Sequence, residues 1–356
     1  MSPTTQNNKV LVGFTGGIRS SVTAMLLKTQ GADLFGVFLD YEGTPWDTNC
    51  SRESRKLAVE QAAALEIPLV TVPVASLFEA LVADSYLHDV LNRKVPQTCL
   101  SCHRRILFPV LSKIAEERGI STIATGHRAA LNQGQLERTS APDDQSAWLA
   151  FLPRELLRQI TLPLGALSTM QVRKLAHEIT PDWPKEAINE TRSACMLSQE
   201  QWMLWASSRV PTGSQVPGPM THRDSISLAE HRGILQYPLG SPILLEERGS
   251  LMVWDYEPSS HCLKLEDRAQ TGQTEIQIEG LNWIDPAPQE GTPSVEVEVR
   301  SAGMFSDPAS VSSGLLFFHL ENEARLFLRK PMTALVRGTP LIFSSDTRIL
   351  GAGWVT

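Results

Sequence analysis

The first apolar run, Lys9–Phe14 (KVLVGF), is short and β-rich, and a glycine-rich turn ends it. From Ser20 to Gln30 the period changes: Val22, Leu26 and Leu27 share a helical face, and Gly31 supplies a stop. Leu34–Leu39 (LFGVFL) predicts a second strand, Arg52–Leu65 a helix and Leu69–Val74 a third strand. Beyond another helical stretch and a basic window, Ser121–Thr125 predicts a further strand. Short apolar strands alternating with amphipathic helices imply an α/β fold built on a doubly wound parallel sheet. Ligands of such sheets sit beyond the carboxyl ends of the strands, where Phe14–Ser20 and Thr125–His127 are both expected.

From about residue 210 the pattern changes. Pro211–Pro219 (PTGSQVPGP) reads as a linker, and short alternating runs follow at Ser250–Asp255, Thr274–Ile278 and Val295–Val299. Pro286–Pro293 (PAPQEGTP) marks a second joint, and Leu341–Phe343 with Ile349–Val355 close the chain. The expected organisation is a nucleotide-binding and catalytic domain over 1–208, a small central domain over 209–285 and a β-barrel over 286–356.

Composition narrows the class without naming a chemistry. Hydrophobic content of 42% with 20% charged residues is ordinary for a globular chain. No apolar run approaches the roughly 20 residues that span a bilayer, and Met1–Lys9 lacks the layout of a secretion signal. The expectation is a cytoplasmic protein with no membrane partner, its five cysteines reduced. A net charge of −7 is unusual for a protein that holds RNA phosphates. One window is basic: Arg93, Lys94, Arg104, Arg105, Lys113 and Arg118 stand against Glu116 and Glu117. By charge alone it reads as a solvated helix face.

Two stretches carry candidate chemistry. Gly13-Phe14-Thr15-Gly16-Gly17-Ile18-Arg19-Ser20-Ser21 lies between a strand and a helix. Its glycines let backbone amides converge, and hydroxyls and a helix N-terminus add donors for phosphate oxygens. It is neither a Walker loop nor a dinucleotide GxGxxG, and alone it is equally a serine-capped glycine turn. The second stretch is Cys99-Leu100-Ser101-Cys102-His103, followed by Arg104 and Arg105 at a helix start, a setting that lowers thiol pKa. Read literally it is a haem c attachment motif, which the missing export signal argues against. A structural zinc site lacks a second ligand pair, so no metal ligand is assigned, and a reduced, inert pair stays open.

The glycine loop resembles the Ser-Gly-Gly-x-Asp-Ser-Ser signature of the ATP-pyrophosphatase superfamily, whose members adenylate their substrates. Further segments make the resemblance more specific, pointing to the bacterial tRNA-specific 2-thiouridylases. Cys102 follows Val95-Pro96-Gln97-Thr98-Cys99-Leu100-Ser101, and Cys195 sits in Glu190-Thr191-Arg192-Ser193-Ala194-Cys195-Met196. Other matches are Thr125-Gly126-His127, Asp144-Gln145-Ser146, Leu162-Pro163-Leu164-Gly165, Leu281-Asn282-Trp283 and Leu350-Gly351-Ala352-Gly353, so the resemblance runs the full length.

The resemblance implies an adenine nucleotide alpha hydrolase-like fold and a two-step reaction. ATP, with Mg²⁺, adenylates the C2 oxygen of the wobble uridine of tRNA, and persulfide sulfur replaces it. Cys195 corresponds to the persulfide carrier and Cys102 to its partner, which finishes in a disulfide. Gly13, Phe14, Thr15, Gly16, Gly17, Arg19, Ser20 and Ser21 correspond to the phosphate loop, Leu39 to a residue beside adenine and Gly126 to the adenosine site. Gln97, Thr98, Cys99, His127, Asp143, Asp144 and Gln145 correspond to segments that contact tRNA. A sulfur-donating protein is the implied second partner. Cys50 and Cys262 have no implied role.

The departures cluster at polar positions. Arg19 stands where the signature has aspartate, and Asp143 where the family has lysine before Asp-Gln-Ser. Pro238-Leu239-Gly240-Ser241-Pro242 replaces a Thr-Ile-Gly-Gln-Arg-Lys segment, and Gly338-Thr339 a Gly-Gln. At position 19 two consequences are open: loss of metal-linked ordering of the pyrophosphate, or a guanidinium that clamps phosphate directly. Two functions follow, a divergent thiouridylase or a paralogue that relays or binds sulfur without thiolating tRNA. A third arrangement has Cys99, Cys102 and Cys195 holding a [4Fe–4S] cluster, as in other three-cysteine tRNA thiolases.

Overall fold

The structure, a computed structural model, describes residues 8–42, 52–139, 143–179, 199–211, 215–222, 227–246, 248–285, 294–303, 305, 310–320 and 322–356. They fall into two compact units, one of Met1–Leu81 with Ser101–Met196 and one of Val82–Leu100 with Leu197–Thr356.

The first unit is a five-stranded parallel sheet. Its strands β1 (Lys9–Gly13), β2 (Asp33–Asp40), β3 (Leu69–Pro73) and β4 (Thr122–Ala124) are those the apolar runs predict. After β4 comes a short hairpin, β5 (Ala130–Asn132) with β6 (Gln135–Glu137), and then β7 (Ile160–Thr161), a two-residue strand too short to leave a pattern. The spatial order is β3-β2-β1-β4-β7, so the chain turns from one side of β1 to the other between β3 and β4. Helices on both faces explain why these strands are apolar throughout. Helix α1 (Ile18–Thr29) packs Ile18 and Val22 against Val172 and Ala176 of the helix Thr169–Ile179. Helix α2 (Arg52–Ala64) lays Ala58 and Ala62 over Val12, Phe14 and Phe38. Leu111 and Ile114, from the helix Phe108–Glu117, cover Leu11, Val37 and Ile123.

The second unit is all-β apart from short helices. A mixed five-stranded sheet contains β8 (Gly218–His222), β9 (Ser227–His231), β10 (Pro242–Leu245), β11 (Gly249–Glu257) and β12 (Cys262–Glu266). The remaining strands are β13 (Gln273–Trp283), β14 (Ser294–Ser301), β15 (Val311–Leu320), β16 (Glu323–Met332), β17 (Pro340–Ser345) and β18 (Arg348–Val355). They close into a six-stranded antiparallel barrel through the β13–β18 pairing. Alternation fills it: Val297, Val299, Leu316, Leu326, Leu341 and Phe343 all point inward. The barrel takes in β13, which the sequence assigned to the central domain. The segment 82–100 joins this unit, where Val95 packs with Met220, Leu239 and Leu265.

No helix among the described residues is long and apolar enough to cross a membrane.

Candidate functional site

The sheet reverses strand order at β1 and β4, and a cavity of about 310 Å³ opens where their carboxyl ends diverge. Gly13, Phe14, Thr15, Arg19 and Ser20 form one wall, and Val37, Phe38 and Leu39 at the end of β2 form an apolar one. Tyr41, Ser54, Cys102, Leu107, Thr125, Gly126, His127 and Gln145 complete it.

The loop after β1 holds its shape through its own polar atoms. Phe14 N donates to Val37 O at 2.8 Å, tying the loop to β2. Thr15 N donates to Ser20 Oγ at 3.2 Å, and that hydroxyl donates to Gly17 O at 3.1 Å. Gly16 has φ +71°, and a Cβ there would stand 2.4 Å from Ala58 N on α2, so only glycine fits between loop and helix. Gly17 caps α1 in an extended conformation without a side-chain hydrogen bond, leaving the first-turn amides for an anion. Gly126, just past β4, lies so close to α1 that a Cβ would be 2.9 Å from Arg19 C and Cβ.

Charge at this site is concentrated on three residues. Arg19 Nη2 donates to Asp143 Oδ2 at 2.8 Å. Arg128 Nε lies 3.4 Å from the same oxygen, and its Nη1 donates to Leu164 O. Arg128 is only 2% exposed, so a nearby carboxylate is a condition of its burial. Asp143 Oδ1 is buried and has no hydrogen-bond partner among the described residues.

Behind the cavity wall lies a ring cluster. His127 Nε2 and His103 Nε2 are 2.7 Å apart, and His127 Nδ1 is hydrogen-bonded to Thr125 Oγ1 at 2.8 Å. Phe108 and Trp148 pack around the two imidazoles, with Trp148 5.5 Å from His103 centroid to centroid. Burial, then the neighbouring His103 ring and the Arg19 guanidinium, hold His127 well below the ordinary histidine range, so it is neutral at pH 7. His103 begins a π-helical segment, His103–Leu107, that follows the helix Thr98–Cys102. Cys102 Sγ lies 3.8 Å from Tyr41 Oη on the cavity wall.

The structure thus brings together Gly13, Phe14, Thr15, Arg19, Ser20, Leu39, Cys102, Gly126, His127 and Gln145 of the residues singled out from the sequence. Gly16 and Gly17 shape the loop without lining the cavity. The Ser21 hydroxyl is buried in α1, has no hydrogen-bond partner among the described residues and does not line the cavity. Asp144 is spent locally: Oδ1 accepts from Thr139 N at 2.9 Å and Oδ2 from Ser146 Oγ at 2.6 Å. Gln145 Oε1 accepts from Arg128 N at 2.9 Å. Gln97 and Thr98 are buried, and a Cβ on Gly303 would meet the Gln97 amide at 2.4 Å. Cys99 is partly exposed; the boundary between the units falls after Leu100, so it belongs with the second unit and Cys102 with the first. Cys195 and Cys50 lie outside the described residues.

The basic window is not one charged face. Arg93 pairs with Asp255 and Lys94 with Glu279 in the second unit, whereas Arg118 lies over the Phe35 ring in the first. Sequence reasoning passed over Arg128, His103, Tyr41 and Ser54. Arg128 and His103 directly follow His127 and Cys102, which was the available signal.

The chain matches the tRNA methyl transferase HUP domain family over residues 8–199. It is 27% identical to the tRNA-specific 2-thiouridylase MnmA 2 of Phocaeicola vulgatus over 99% of this chain and 99% of that protein. Identity to the tRNA-specific 2-thiouridylase MnmA of Geobacter metallireducens is 25%, over 98% and 96% of the respective chains. Among solved structures, a 4-thiouridine synthetase in complex with RNA and ATP is 18% identical with a TM-score of 0.36, covering 52% of this chain and 44% of that one.

Proposed function

Since the match over residues 8–199 takes in more than half of the chain, the protein belongs to the tRNA methyl transferase HUP domain family, and we propose that it is an ATP-dependent tRNA-uridine 2-sulfurtransferase. The observation that carries this reading is that Cys102 lines the same cavity as Thr15, Arg19 and Ser20 of the phosphate loop. A nucleotide suits the donor set. Loop amides, the uncapped start of α1 and the Arg19 guanidinium offer donors to phosphate, and Val37, Phe38 and Leu39 offer an apolar face to a base.

In this reading the uridine C2 oxygen attacks the α-phosphorus of ATP and expels pyrophosphate, turning that oxygen into a leaving group. Cys195 carries sulfur as a persulfide delivered by a donor protein. The Cys102 thiolate attacks the Cys195 sulfur, forming a Cys102–Cys195 disulfide and releasing the terminal sulfur as hydrosulfide. Hydrosulfide adds at C2, AMP departs, and a thiol reductant resets the disulfide. None of the described residues lining the cavity carries a carboxylate, so Mg²⁺ would be held there by nucleotide phosphates and water. Among the described residues no group of three or more His, Cys, Asp or Glu side chains is placed to hold a metal.

The test is mass spectrometry of nucleosides from tRNA incubated with the protein, Mg²⁺-ATP and a persulfide donor. The expected product is 2-thiouridine, absent with Cys102→Ser and with Cys195→Ser. If none forms while Cys195 still accepts sulfur, the protein is a sulfur-relay paralogue and the reading fails.

A further inference from the structure

Arg19 and Asp143 are 124 positions apart, and each was set aside above as a separate departure from the sequence pattern the chain resembles. In the structure they are bonded to each other, Arg19 Nη2 to Asp143 Oδ2 at 2.8 Å, with side chains 20% and 28% exposed. We propose that Asp143 positions the Arg19 guanidinium for direct binding of nucleotide phosphate. The proposal rests on the nucleotide use argued in the preceding section.

Three observations support it. Arg19 lines the cavity beside Thr15 and Ser20, whereas Asp143 does not, so the cationic member of the pair is the one presented to a ligand. The Arg19 stem is fixed from behind, since Gly126 approaches its Cβ so closely that any larger residue would displace it. Finally, Arg128 is buried with its Nε 3.4 Å from the same Asp143 oxygen. A lysine at 143 would meet two guanidiniums, and an aspartate at 19 would meet the Asp143 carboxylate. Neither position tolerates reversal while the other keeps its present sign.

Asp143 thereby becomes a positioning residue for nucleotide binding. Its Oδ2 is shared by Arg19 and Arg128, which engages the carboxylate inside the unit. The same arrangement decides between the two consequences left open for Arg19, in favour of direct phosphate binding by the guanidinium.

A double-mutant cycle on the full chain tests this, with ATP affinity read by calorimetry and folding by thermal melting. Arg19→Asp and Asp143→Lys are each expected to weaken ATP binding by at least about 10-fold, and the double variant to return to within about 3-fold of the wild type. Losses that add in the double variant, or Arg19→Asp binding ATP as well as the wild type, would overturn the proposal, as would a wild type that does not bind ATP. If Asp143→Lys does not fold beside Arg128, Asp143→Asn replaces it. Arg19→Asp with Asp143→Asn must then bind more tightly than Arg19→Asp alone, and equal affinities refute the pairing. Because the readout is ATP binding, a wild type that binds ATP and obeys the cycle yet makes no 2-thiouridine would sink the proposed function and leave the positioning role of Asp143 standing.

Discussion

The barrel and the parallel-sheet unit bury their side chains on different terms. Inside the barrel Val297, Val299, Leu316, Leu326, Leu341 and Phe343 are apolar and at most 2% exposed. Two of its ion pairs, Arg329 with Glu296 and Arg325 with Glu275, lie on the outside, where water screens them and they contribute little. Around the cavity of the parallel sheet, charged and ring side chains are buried as well: Arg128 is 2% exposed beside the Asp143 carboxylate, and two imidazoles share one short contact. The barrel core is held by apolar area. The side chains around the cavity need a charge of opposite sign or a matched hydrogen bond to be buried at all.

The sharpest way to separate the two regions is to remove the thiol. Cys102→Ser is expected to cut thiolation by at least about 1,000-fold while leaving ATP affinity and the melting temperature close to wild type. Comparable loss of ATP binding would mean that Cys102 shapes the pocket instead. In the barrel, Phe343→Ala should cost about 3–5 kcal/mol by chemical denaturation, from lost burial and a residual cavity. ATP affinity per folded molecule should not change. Gly16→Ala should do both kinds of damage. Its φ of +71° and the 2.4 Å approach to Ala58 N imply about 2–3 kcal/mol, together with weakened nucleotide binding, because the loop must move off α2.

The smallest expected effect is a pH dependence. His127 titrates well below 6.5 in the folded chain, chiefly through burial and then through His103 and Arg19. Between that lowered value and 6.5 the unfolded chain binds a proton that the native one does not, so stability is lost as pH falls. Thermal melts between about pH 7.5 and 5.5 should show this loss, with a slope of at most about 1.4 kcal/mol per pH unit, and His127→Gln should remove its share. An unchanged slope in the variant would assign the titration to another group.

What the sequence disclosed follows from the range of each interaction. Strands β1 to β4 were legible as short apolar runs, as was β17, which is buried from Pro340 to Ser344, and β14 because the barrel imposes a period of two on it. The loop and its two shaping glycines were legible as a glycine turn between strand and helix, and the resemblance to the ATP-pyrophosphatase signature marked it as a phosphate loop. Strand β7 and the hairpin β5–β6 were not, since two or three residues carry no period. The pairing of Arg19 with Asp143 was hidden for another reason: nothing local to either residue points across 124 positions, and each read separately as damage. Local reading likewise grouped Arg93 and Lys94 with Arg104 and Arg105, although the first two are committed to Asp255 and Glu279. Gln97 was read as an RNA contact because its segment matched, yet its side chain is buried against Gly303.

The most direct test of the thiolation reading follows an oxygen atom. In tRNA labelled with ¹⁸O at C2 of the wobble uridine, adenylation makes that oxygen part of the departing AMP. The account predicts that mass spectrometry finds one ¹⁸O in AMP for every 2-thiouridine formed. Unlabelled AMP accompanying 2-thiouridine, or 2-thiouridine formed without AMP, would contradict it.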